Sequence, residues 1–396
     1  CLSCYASEFD LASANRYSPY RNRVYIYQKM GLKDSAFCCM DSLFLSHQLK
    51  SVSMETVAGH YVQRGLLYAN FDEYDLAIAD YKYADSLLSV RYPEDSNSRM
   101  HILLAIANCW YHKKDFAVAK KNYSHYSVLC RSKYGDKTIE YANSLYYLAN
   151  IEGFTNEKQV GCKDYRQAAI LLKELIKKQL RYMPTNARTK YWNDLSDILW
   201  NMTAYAAKIG LKQESFVCDA YNALVFSKGL LLEAERSMRN LLRQGGAEED
   251  LALYNKMLLL QSRLAEVERT IGKGTEGANE LYSQIDQIDK QLASRYSFYG
   301  NYTQFLNTQY EDIKNALKEG EVAIDFTDFK LDSVHCYAAY VLRKEWEYPL
   351  LVPLFNQTQL DSLYNTVNNI TDRLYHFPYS QSLLKFCWAS LSHYIH

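Results

Sequence analysis

Neither sign of charge dominates this chain: 45 lysine and arginine residues stand against 45 aspartate and glutamate residues, and no block of like charge stands out. A nucleic-acid or anionic-membrane surface needs a concentrated basic patch, so nucleic acid is not expected as a partner. Long apolar runs are missing as well. The longest, such as LLAIANCWY from Leu103, falls far short of the roughly 20 residues that a membrane-crossing helix requires. No membrane span and no secretory hydrophobic region are expected. The first residue is Cys1 rather than methionine, which points to processing or to a piece of something longer. The expected compartment is the cytoplasm, with a lipid-modified Cys1 in a bacterial envelope left open as the alternative.

Short signatures of enzyme chemistry are also absent. There is no GxxxxGK[ST] loop, no GxGxxG after a strand, no HExxH and no GxSxG. The glycine-rich GKGTEG from Gly272 lies between helical patterns with no strand before it, and reads as a loop. Glu248 and Glu249 read as solvating a helix end. Of ten cysteines, Cys1 and Cys4 form the one CxxC pair. A zinc site needs a second ligand pair at similar spacing, so no metal and no cofactor are expected. The remaining cysteines, mostly inside helical patterns, read as small buried thiols of a reducing compartment.

What is present is ordinary for a soluble globular protein: 48% hydrophobic and 23% charged residues in a length of 396, enough for two or three domains. In the first half, one helix-turn-helix spacing recurs. Its clearest copy places Gly65, Tyr68, Tyr74, Ala77, Tyr81 and Ala84 at offsets that read G-x2-Y-x5-Y-x2-A-x3-Y-x2-A. The next has Ala107, Trp110, Phe116, Ala119, Tyr123 and Tyr126, with Ala119 standing 42 residues after Ala77. A degenerate earlier copy has Tyr27, Ala36, Met40 and Leu43. A later one has Leu148, Ala149, Tyr165, Ala168 and Leu172, with seven extra residues between its helices. Small residues at helix crossings and large ones between units are what a stacked repeat needs, because each copy hides its apolar faces against neighbours.

These positions resemble the tetratricopeptide repeat family, whose usual period is about 34 residues. The excess is about two helical turns at roughly 3.6 residues each, one for each helix of a unit. Thirty-six tyrosines raise the idea of an aromatic cage. Tyr61, Tyr68, Tyr74, Tyr81, Tyr123, Tyr126 and Tyr165, however, fall on packing positions, where a large ring fills the gap between helices. The resemblance implies that the first helix of each pair faces a concave side. Counting from the pattern puts Asn70, Asn108, His112, Tyr146 and Asn150 there, a candidate groove for a protein or peptide partner. Asparagine carries both a donor and an acceptor, so a ladder of them can clamp an extended backbone without demanding a sequence. Polar residues coating a solvated helix face are the alternative.

After residue 228 the pattern changes to long helices, broken at Gly245 and Gly246 and again around Gly272, Gly274 and Gly277. Leu281, Ile285, Ile288 and Leu292 make an apolar stripe one side of a helix wide, expected to pack on a neighbouring helix. In EVAIDF, Val322, Ile324 and Phe326 alternate with Glu321, Ala323 and Asp325, predicting a strand with one face buried. VHCYAAYVLR, apolar on both faces, predicts an interior strand, and YPLLVP, interrupted by Pro349 and Pro353, suits an edge. Two helices are expected next, roughly Gln357 to His376 and Ser380 to Tyr394. His335 and Cys336 sit side by side, but adjacent strand residues point to opposite faces. They cannot share a proton at about 3 Å and read as packing residues.

SKGLLLEAERSMRNLL, LKEGEVAIDF, YAAYVLRKEWEYP and LFNQTQLDSLY, in that order, resemble the start of the CHAT family, caspase-like cysteine peptidases that commonly follow tetratricopeptide repeats. That resemblance covers about residues 222 to 396. It implies a catalytic histidine and cysteine on later strands, beyond the helix that SQSLLKFCWASLSHYIH resembles. No residue of this sequence matches that dyad, so the chain itself is expected to be inactive, with caspase-like cysteine endopeptidase activity expected of a full-length parent.

The expected fold is mostly α: a tetratricopeptide-type α-solenoid followed by long helices and a small, incomplete α/β segment. Residues 1–15 end a preceding helix or repeat, 16–228 form the repeats, 229–318 a long helical spacer, and 319–396 the incomplete N-terminal part of a CHAT-like domain. Two functions fit: the regulatory, partner-binding scaffold of a CHAT-type peptidase, or a non-catalytic tetratricopeptide adaptor. The unfinished sheet is a further expected place of association.

Overall fold

The computed structural model describes residues 18–48, 53–155, 157–180, 191–193, 195–210, 214–245, 247–270, 276–296, 306–331, 333–365 and 388–395. Over these residues the protein is mostly α, with a small three-stranded antiparallel sheet, as the sequence predicts. Two compact units divide the chain, Cys1–Tyr165 and Arg166–His396.

The first unit is a row of helices: α1 (Ser18–Lys29), α2 (Lys33–Gln48), α3 (Met54–Asn70), α4 (Tyr74–Ser89), α5 (Asn97–His112), α6 (Phe116–Tyr134) and α7 (Ile139–Glu152). Each packs on the next in sequence, the nearest-neighbour contact pattern of a solenoid. Starts are marked by side chains that satisfy otherwise unpaired amides: Ser53 caps α3, Asp115 caps α6 and Thr138 caps α7.

Ends are marked by a recurring turn. Gly31, Asp72 and Lys114 all have left-handed backbones, with φ of 70°, 62° and 63°. In each case the residue after the left-handed one donates its amide to an aromatic residue's carbonyl in the preceding helix: Leu32 to Tyr27, Glu73 to Tyr68, Asp115 to Trp110. The left-handed residue itself donates to Gln28, Ala69 or Tyr111. This is the Schellman pattern, which satisfies the orphan carbonyls at a helix end. It reveals a structural equivalence between the degenerate first copy and the clear ones, with Asp72 and Lys114 one repeat period apart.

The small and large positions of the repeat pack as their sizes require. Ala36, Ala77, Ala84, Ala107 and Ala119 are fully buried, as are Tyr81, Tyr123 and Tyr126 to within a few per cent. Tyr61, Tyr68 and Tyr74 are partly buried against the cluster around Tyr81. A methyl group on Gly65 would stand 2.8 Å from Tyr81 Cε1 and 3.2 Å from the Ala77 carbonyl oxygen, so only glycine admits this approach of α3 to α4. Nearby, Arg64 grips the buried carboxylate of Asp80 with two 2.7 Å hydrogen bonds. In the later copy, Tyr165, Ala168 and Leu172 are fully buried on α8 (Lys158–Leu180).

The second unit contains α9 (Asp197–Ile209), α10 (Glu214–Gly245), α11 (Glu248–Thr270), α12 (Glu276–Tyr296), α13 (Tyr310–Ala316), β1 (Val322–Leu331), β2 (Val334–Arg343), β3 (Leu350–Asn356), α14 (Gln357–Asn365) and α15 (Ser392–Ile395). The predicted stripe of α12 packs on α11: Ile285, Ile288 and Leu292 are buried with Tyr254, Met257, Leu260 and Leu264. The break at Gly245 falls as expected. Gly277, by contrast, lies in the first turn of α12, while Gly246, Gly272 and Gly274 lie outside the described residues. Glu248, Glu249 and Asp250 occupy the first turn of α11, where negative charge complements the helix dipole.

The strand order is β1-β2-β3, both pairs antiparallel, with the apolar β2 in the middle and proline-bearing β3 at an edge. One expectation for β1 needs correction. Val322 and Ile324 do pack with Ala339, Val341, Val352 and Leu391, but Phe326 is 48% exposed, its ring edge-on to Trp388 at 6.2 Å. The opposite face is not solvated either. Asp325 accepts from the Tyr221 hydroxyl at 2.6 Å and Lys228 Nζ at 2.9 Å, both from α10. Tyr340 stacks on Tyr221 with centroids 4.9 Å apart and meets the Thr203 hydroxyl of α9 at 3.1 Å. Helices cover that face, so the alternation predicted for a one-sided strand fails once α10 supplies partners for a carboxylate. The strand also runs on to Leu331. The helix expected from Gln357 begins there and is described to Asn365; residues 366–387 lie outside the described set. The one expected to reach Tyr394 is broken by turns at 389–391.

Candidate peptide-binding groove

Alternate helices α3, α5 and α7 bring all five predicted groove residues to one concavity of about 530 Å³. Asn70 ends α3, Asn108 and His112 lie in the last turns of α5, and Tyr146 and Asn150 lie in the last turns of α7. Asn70 and His112 are exposed; the other three are half-buried.

The amides are partly committed. Asn108 Oδ1 accepts from the Tyr123 hydroxyl, and Asn150 Nδ2 donates to the Tyr146 carbonyl at 3.0 Å. Among the described residues this leaves Asn108 Nδ2 as a donor, Asn150 Oδ1 as an acceptor and both ends of the Asn70 amide without partners. Uncommitted amide groups of both kinds thus line the concavity, one donor on α5, one acceptor on α7 and both on Asn70.

The sequence pattern alone did not find Asp72, Tyr74, Tyr111 and Tyr147, which also line the groove. Tyr74, a packing position of the repeat, does both: its ring stacks on His112 at 5.6 Å and 8°, and its hydroxyl donates to Asp72 Oδ1. Burial, followed by the bond to Asp72, pushes its phenol up to about 12. Tyr111 stands edge-on to His112 at 5.5 Å, and Tyr147 stacks on Tyr123 at 5.5 Å. The one sequence signal for Asp72 is its place just after the end of α3, next to Asn70.

All seven described cysteines are free; Cys109, Cys130, Cys162 and Cys218 are buried, Cys39 and Cys336 half-buried, Cys38 exposed. Burial pushes the Cys109 thiol up to about 12 and those of Cys130 and Cys218 to about 11, away from the thiolate that a nucleophile requires. Cys1, Cys4 and Cys387 lie outside the described residues. His335 Nε2 is 2.6 Å from Asp328 Oδ2 and its ring stacks on Tyr337, while Cys336 Sγ lies 3.7 Å from the Val334 carbonyl. Among the described residues no group of three or more metal-ligating side chains comes together, and no helix is long and apolar enough to cross a membrane.

No protein-family model matches the chain, and no curated protein is similar to it. Among solved structures it is similar to BtubC (BKLC) from P. vanneervenii, with 17% identity and a TM-score of 0.42 over 53% of this chain and 77% of that one.

Proposed function

We propose that the chain is a partner-binding scaffold whose tetratricopeptide-like repeats hold an extended peptide. The observation that carries this reading is the convergence of Asn70, Asn108 and Asn150 on one concavity with complementary amide groups uncommitted. The test is a double substitution, Asn108→Ala with Asn150→Ala, read against partner affinity. Each lost hydrogen bond to a peptide backbone is worth about 0.5–1.5 kcal/mol, so the pair should weaken binding roughly tenfold. Unchanged affinity sinks the clamp.

We further propose that this scaffold is the regulatory part of a CHAT-type cysteine peptidase, itself without the His/Cys dyad. What supports this over a plain adaptor is the sheet. Its middle strand is buried on both faces, with Ala338, Ala339, Tyr340, Val341 and Leu342 all at 0–1% exposure, as an interior strand of a layered α/β domain would be. An end cap would need only one covered face. Turnover of a broad panel of lysyl and arginyl peptides by this chain alone would overturn the assignment of an inactive scaffold.

A further inference from the structure

The groove lining contains one carboxylate, Asp72, and, among the described residues, no lysine or arginine. The acids that flank it are matched: Glu73 pairs with Lys33 and Asp75 with Lys113. Asp72 is different. Its Oδ1 accepts from the Tyr74 hydroxyl, and among the described residues no cation pairs with it. Immediately beside it stands an aromatic cluster in which Tyr74 and His112 stack face to face and Tyr111 meets His112 edge-on. A ring face attracts a cation through its quadrupole, and an adjacent carboxylate adds direct Coulomb attraction. The two together discriminate a basic side chain from a neutral one of the same length.

We propose that the occupant of the groove is an extended peptide bearing a lysine or arginine, with that side chain seated against Asp72, Tyr74 and Tyr111. Asn108 and Asn150 then hold the backbone while the basic group sets the register. This rests on the peptide-clamp reading above and adds the chemistry of the ligand.

The test uses the full chain and fluorescein-labelled ten-residue peptides of alternating serine and valine, differing at one central position: lysine, arginine, glutamine or glutamate. The lysine and arginine peptides should bind about tenfold tighter than the glutamine peptide, with glutamate weakest. Asp72→Asn keeps the left-handed turn, which asparagine tolerates, and should abolish the difference in affinity between the lysine and glutamine peptides. Equal binding of the lysine and glutamine peptides, lost together in the Asn108→Ala/Asn150→Ala chain, overturns the basic-residue inference and leaves the clamp standing. Preference for glutamate overturns it as well. No binding by any of the four peptides counts against the clamp itself and the inference with it.

Discussion

Replacing Gly65 by alanine sets two effects of known size against each other. In a helix interior alanine is favoured over glycine by about 1 kcal/mol, so propensity alone predicts a stabilised α3. Packing says the reverse. The new methyl would lie 2.8 Å and 3.0 Å from two ring carbons of Tyr81 and 3.2 Å from the backbone oxygen of Ala77. Tyr81 is 2% exposed, so its ring has no free direction in which to give, and a backbone carbonyl cannot rotate away without disturbing α4. Overpacking of this kind costs about 1–3 kcal/mol, which leaves a net loss of up to about 2 kcal/mol. Gly277 supplies the control: it is helical too, with no atom of the other described residues within 4 Å of the built methyl, and its replacement by alanine should gain about 0.5 kcal/mol. The two units need not unfold together, so the assay is amide hydrogen exchange read separately on the α3–α4 and α11–α12 segments. In a Tyr81→Leu background the ring part of the Gly65→Ala penalty is removed and only the Ala77 carbonyl contact remains, so the penalty should shrink, a coupling of about 1 kcal/mol. Slower exchange in Gly65→Ala alone would refute the claim that glycine is held there by packing.

Lys114→Gly should stabilise the α5–α6 turn by about 1 kcal/mol, because a non-glycine residue at φ 63° carries a steric cost; a raised denaturation midpoint of the first unit checks it. Arg64→Ala leaves the Asp80 carboxylate buried without its bidentate partner and should cost about 3–5 kcal/mol, read by the same midpoint. Glu152 is buried, and burial raises its pKa against the opposing Lys120 contact. In the window from the ordinary carboxylate range up to that raised value, the folded state holds more protons than the unfolded. Stability therefore falls as pH rises through the window, and Glu152→Gln should flatten that slope in a pH series of urea titrations.

The first unit was legible because its signal is repeated: an alanine or a tyrosine at one offset means little, but Ala77 and Ala119 at one period, each fully buried, constrain one another. The groove was legible for the same reason, since alternate helix ends fall on one side. Asp72 and Tyr74 escaped because their role depends on the turn between helices, where a left-handed residue sets the chain direction and no apolar periodicity marks it. The β1 reading failed at Asp325 and Phe326 because alternation reports which residues are polar, not what lies opposite. A tyrosine and a lysine more than 90 positions earlier made the polar face a buried one.

The three equivalent turns also show how a scaffold position acquires a task. Gly31, Asp72 and Lys114 share one backbone geometry and one hydrogen-bond pattern, so the turn itself needs nothing more than glycine provides. Strain alone does not mark Asp72 as functional, because Lys114 carries the same strain and does not line the groove. What separates Asp72 is the placement of an unmatched carboxylate beside stacked rings in a concavity that, among the described residues, no lysine or arginine lines. Asp72→Gly should therefore do two opposite things: relieve the turn by about 1 kcal/mol and abolish discrimination between lysine and glutamine peptides. A chain that became more stable yet kept its preference for the basic peptide would place the origin of that preference elsewhere in the groove.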